Sequence, residues 1–123
     1  MHKDHVLSAL HRGKSLAAEL TCASPTRTAW VGVYSLDLSQ PSTRDFLKSR
    51  GIAIFPQAGR AYRIRTFEVD RKFIDPPVHI GETELINPVD TFAFDDEELV
   101  FRLHELGIEV ERLEPPFKSA YPI

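Results

Sequence analysis

Two stretches of this sequence end a helical pattern in the same way. Phe46-Leu47-Lys48-Ser49-Arg50-Gly51-Ile52-Ala53-Ile54 and Phe101-Arg102-Leu103-His104-Glu105-Leu106-Gly107-Ile108-Glu109-Val110 each pass through one glycine into Ile-x-Ile or Ile-x-Val. Glycine commonly follows a helix terminus because it accepts a positive φ. The β-branched residues after it suit a strand. Capping signals precede both junctions, Ser42 with Asp45 and Asp95 with Glu98. Two strand–helix–strand units joined by a hairpin predict an α+β fold, with a mixed or antiparallel sheet of four to five strands in a ferredoxin-like βαββαβ plan. Many unrelated functions share that plan.

The remaining elements are placed around this pair. Val6, Ala9, Leu10, Leu16, Ala17 and Leu20 fall on one face of a 3.6-residue period and predict an additional long N-terminal helix over 2–21. Gly13 within it costs about 1 kcal/mol relative to Ala. Trp30 to Leu38 reads as a central strand and Ile52 to Phe55 as the next. Gln57 to Arg60 then reads as a hairpin connection into a strand over Ala61 to Val69. Residues 73–90 read as an irregular insertion, with short strands at Val78–Ile80 and Glu84–Ile86. Phe92 and Phe94 alternate as a strand. Leu99, Val100, Leu103 and Leu106 form the stripe of a helix capped by Asp95, and Ile108, Val110 and Leu113 alternate as a half-exposed strand. Phe92, Phe94 and Phe101 are assigned to the core, and residues 115–123 to a polar tail.

At 123 residues the chain has the length of one domain, 1–123. Its longest apolar run, Ala29 to Tyr34, is far shorter than the roughly 20 residues a membrane helix needs. No membrane association or secretory leader is expected. Cys22 is the one cysteine, which forbids an internal disulfide and suits the cytoplasm. Neither GxGxxG, GxxxxGK[ST] nor GxSxG occurs, so no phosphate loop or nucleophile elbow is expected. No cofactor, metal site or catalytic residue is assigned.

Charge is divided along the chain. Residues 1–72 hold 12 Lys/Arg and 6 Asp/Glu, net +6, while residues 73–123 hold 3 and 12, net −9. Arg60, Arg63, Arg65, Arg71 and Lys72, interleaved with Tyr62 and Phe67, suggest a ligand or nucleic-acid face, to which His79 could contribute. Tyr62 and the pair Arg63/Arg65 alternate to opposite faces, however, which disfavours nucleic acid. Asp37 with Asp70-Arg71-Lys72 has the composition of a metal-nuclease motif at loose spacing. His79 with Glu82 and Glu84 lacks the paired histidines of a hydrolytic zinc motif.

The acidic residues Asp95, Asp96, Glu97, Glu98, Glu105, Glu109 and Glu111 exceed what capping one helix requires. Such a surface binds a basic partner with fast, salt-sensitive association. The leading expectation is a small soluble protein-binding module, an inhibitor or immunity-like protein acting on another protein with a basic surface. Bacterial immunity and antitoxin proteins resemble it in size and in lacking a catalytic motif, a likeness of style and not of residues. Two alternatives are a small-molecule-binding or small enzymatic domain, with a homodimer compatible, and a single-stranded RNA-binding sheet. Catalysis is the less favoured expectation.

Overall fold

Helix ends organise this chain, and three of them end alike. In a computed structural model describing residues 2–54, 59–73, 81–116 and 121–122, the helices are α1 (Lys3–His11), α2 (Pro41–Ser49) and α3 (Asp96–Glu105). Each is followed one residue later by a glycine in the left-handed region: Gly13 (φ 84°), Gly51 (φ 74°) and Gly107 (φ 80°). Around each glycine two backbone N–H groups fold back on the last turn. Gly13 and Lys14 donate to Leu10 and Ala9, Gly51 and Ile52 to Lys48 and Leu47, and Gly107 and Ile108 to His104 and Leu103. These paired bonds satisfy carbonyls that a helix terminus leaves open.

The shared Gly-Ile signature therefore records helix termination, and the two predicted strands after it do not form. Ile52 to Ile54 has no strand pairing, with Phe55 outside the described residues, and Val110–Arg112 is a 3-10 turn. Ile52 and Ile108 instead pack in the same apolar clusters as Leu47 and Leu103, the contact that accompanies this type of helix end.

Gly13 also corrects the long N-terminal helix. Helix α1 covers only nine residues, and β1 (Leu16–Leu20) follows it. Leu16, Ala17 and Ala18 are all buried, a strand covered on both faces that a helical stripe over 16, 17 and 20 imitates. The sheet has four strands in the order β1-β2-β3-β4, every pair antiparallel, with β2 spanning Arg27–Asp37, β3 Arg60–Asp70 and β4 Ile86–Ala93. The fold is thus α+β with a sequential meander, and the ferredoxin-like order is not formed. Among the described residues, α2 is the only α-helix inserted between paired strands.

Within the predicted insertion, residues 86–90 belong to β4, and Glu82–Glu84 is a 3-10 turn; the predicted strand at 78–80 lies outside the described residues. Helix α2 starts at Pro41 after Gln40, so Ser42 lies inside it and the Ser42–Asp45 cap is not formed. The Asp95 cap is formed. Asp95 Oδ1 accepts from Glu98 N at 2.7 Å, and Glu98 Oε1 accepts from Phe94 N at 2.8 Å.

Strand alternation gives the sheet two faces. The inner face presents Leu16, Ala18, Val31, Val33, Tyr62, Ile64 and Ala93, all buried against Val6 and Leu10 of α1 and Leu99 and Leu103 of α3. The outer face presents Trp30, Gly32 and Tyr34 on β2, opposite Phe67, Arg65 and Arg63 on β3. Asp90 and Phe92 on β4 pair in turn with Arg65 and Arg63. Leu47 and Phe46 of α2 pack in one cluster with Ala61 and Phe92. Trp30, Phe67, Val69 and Leu85 form another, with Phe73 and Tyr121 packed against it.

Candidate functional site

The predicted basic face does not form one patch. Arg60 leaves β3 on the inner side, where its Nη1 donates to the Leu10 carbonyl at 3.0 Å and to Ser35 Oγ. Arg63 and Arg65 lie on the outer face and turn onto Asp90: Arg63 Nη2 is 2.7 Å from Oδ2, and Arg65 Nε 3.7 Å from Oδ1. Arg50, which caps α2, reaches the same carboxylate at 3.1 Å, and both Arg50 and Arg63 stack over the Phe46 ring. Burial disfavours the Asp90 anion, but the Arg63 hydrogen bond and the charges of Arg63, Arg65 and Arg50 outweigh it and hold the carboxyl below its usual range. Arg63 and Arg65 are therefore engaged with a carboxylate, and Arg63 also lies against Phe46 of α2.

At the far end of β3, Arg71 Nε donates to the Pro25 carbonyl at 3.0 Å, and Lys72 lies over Phe73. His79 lies outside the described residues. The nuclease arrangement is also separated. Asp37 pairs with Arg60 and Asp70 with Arg27 at opposite ends of the β2–β3 ladder, about 30 Å apart at 3.3 Å per residue. No group of three or more His, Cys, Asp or Glu side chains among the described residues could hold a metal ion.

The acidic residues divide into two sets. Asp95, Asp96 and Glu98 are engaged within the fold. Asp96 is the centre of a seam joining three elements: Tyr62 Oη of β3 donates to its Oδ1 at 2.6 Å, and His11 Nε2 of α1 lies 2.9 Å from its Oδ2. Burial opposes ionisation of Asp96, yet hydrogen bonds from Tyr62 and His11 and the charges of His11 and Arg60 keep its carboxyl below the usual range. The same environment, burial first and Asp96 second, raises the Tyr62 phenol far above its ordinary value, so Tyr62 is a neutral donor. An open groove of about 860 Å³ lies over this seam, lined by His11, Arg60, Tyr62, Asp96 and Glu97. No serine, threonine or cysteine lines it among the described residues, so the His11–Asp96 pair has no such nucleophile to activate there.

Glu97, Glu105, Glu109 and Glu111 are exposed. Glu97 and Glu109 share a groove with Phe101, a residue that the sequence assigns to the core. Phe101 is 61% exposed and lines a second groove of about 420 Å³ between α1 and α3, together with Leu7, Val100, Asp96, Glu97 and Glu109. Lys3 and His104 complete its lining, and His104 Nδ1 lies 3.1 Å from Glu109 Oε1. The two grooves share Asp96 and Glu97 and so form one continuous surface across α3. Helical period carried the signal for Phe101. At about 100° per residue it lies about 200° from Leu99, on the side away from the buried stripe.

No family model matches this chain, and neither curated proteins nor solved structures provide a match. No helix among the described residues is long and apolar enough to cross a membrane. The class is therefore defined by the architecture alone: an α+β protein with a four-stranded antiparallel sheet and three helices.

Proposed function

We propose that this chain is a protein-binding module, an inhibitor or immunity-like partner, whose α1–α3 surface receives a basic segment of another protein. The observation that carries the reading is Phe101, a large apolar side chain 61% exposed on a groove bordered by Asp96, Glu97 and Glu109. Partially exposed aromatics inside a polar rim are the usual anchors of interfaces. The carboxylate rim selects a cationic partner and makes association salt-sensitive. Glu105 and Glu111 extend the same charge, and no catalytic residue is required. The reading places the protein in the cytoplasm, where Cys22 stays a thiol; its Sγ donates to Glu68 Oε1 at 3.1 Å.

The test is capture from source-cell lysate by the tagged chain, by Phe101→Ser, and by Glu97→Lys with Glu109→Lys, each eluted over a salt gradient. One protein held by the wild type, released by salt and weakened about 30-fold or more by Phe101→Ser is the expected outcome. The same substitution should change stability by no more than about 0.5 kcal/mol, because Phe101 is outside the core. A partner retained equally by both variants, or no partner for the wild type, removes the proposal.

A further inference from the structure

A third cavity lies on the other side of α1 and has the opposite electrostatic character. It occupies about 560 Å³ where α1 turns into β1, within the size range of small-molecule sites. Ala9 and Leu16, both buried, and Pro115 and Pro116 give it apolar walls. The proline wall is fixed to the sheet by a two-way backbone bridge between Ala17 and Glu114, at 2.9 and 3.0 Å. Its rim carries Arg12, Lys14 and His5, and no carboxylate lines it among the described residues.

The charges of Arg12 and Lys14 are not consumed by the described part of the fold. Basic residues near a helix C-terminus often serve its open carbonyls. Here the backbone N–H groups of Gly13 and Lys14 already close on Leu10 and Ala9. No ion pair or side-chain hydrogen bond engages Arg12 or Lys14 among the described residues. His5, Ala9 and Arg12 stand at i, i+4 and i+7, one face of α1, while the positive φ of Gly13 brings Lys14 back over the same opening.

We infer that this cavity binds a small organic carboxylate with an apolar body. The aliphatic or aromatic part would lie on Leu16, Pro115 and Pro116. The carboxylate would meet the guanidinium of Arg12 and the ammonium of Lys14, both charged at neutral pH. His5 adds an imidazole donor at the edge. The site shares no lining residue with the α1–α3 groove, so it stands independently of the partner proposed above.

The test uses the full chain, 15N-labelled, titrated with naphthalene-2-carboxylate and separately with octanoate, followed by amide shifts. Saturable shifts at Ala9, Arg12, Lys14 and Leu16, with a Kd below about 1 mM for at least one probe, are expected. Arg12→Gln with Lys14→Gln should weaken that binding about tenfold or more while leaving the rest of the spectrum in place, since both side chains are exposed. Naphthalene-2-methanol, the uncharged counterpart, should bind correspondingly worse than the naphthoate. Three results would overturn the inference: no saturable shift with either carboxylate, shifts centred on Leu7 and Phe101, or an affinity indifferent to the double substitution.

Discussion

Asp96 belongs to three parts of the molecule at once. It opens α3, accepts the Tyr62 phenol from the sheet, and meets His11 of α1. Tyr62 is 2% exposed, so its ring is held in the core while its hydroxyl reaches Asp96 beneath the groove. Tyr62→Phe keeps the ring and removes only this bond to a charged acceptor. It should cost about 1.5–3 kcal/mol in urea unfolding, and a loss under about 0.5 kcal/mol would show that the seam contributes little. Sequence reading found Asp96 as an acidic residue and could not find its role, because both partners are remote in the chain. Phe101 is the opposite case. Its exposure is written in the helical period, against the general tendency of phenylalanine to be buried.

At the scale of elements, the glycine after each helix was the most legible feature and also the most misleading. Gly51 and Gly107 do end helices, but the Ile-x-Ile or Ile-x-Val that follows suits a strand and a helix-end contact equally well. An isoleucine beside such a glycine has a local reason to be there, contact with the preceding turn. Gly13 has the same geometry, yet its neighbour is Lys14, so the apolar half of the signature is absent there. The apolar stripe then continues to Leu20 and predicts one helix across α1 and β1. The β2 and β3 strands and α3 were legible because period and caps agreed over their length. Gly107→Ala should cost about 1 kcal/mol, since alanine there must hold a positive φ, and lower Tm by about 4 °C. Equal Tm values in calorimetry would contradict the strain argument.

Across the whole molecule, each face of the sheet is tied by one carboxylate held ionised by its neighbours: Asp96 inside and Asp90 outside. Both folded-state pKa values lie below the ordinary value near 3.9 of an unfolded chain. The stability they add is therefore complete above about pH 4 and declines as pH falls through the folded values. Unfolding followed from pH 6 to pH 2 should show this decline, and Asp90→Asn should flatten it while lowering stability by about 2–3 kcal/mol at pH 6. An unchanged acid limb in the variant would mean that Asp90 titrates as an ordinary surface group.

The meander lets neighbouring strands pair early, since each finds its partner next in the chain. Helices α1 and α3 have no such advantage: His11 and Asp96 meet across 85 positions. The surface between them comes into being only when the strands, the turns and both helices are in place. A partner of the kind proposed would therefore meet its full surface only on a chain whose two helices are already seated on the sheet.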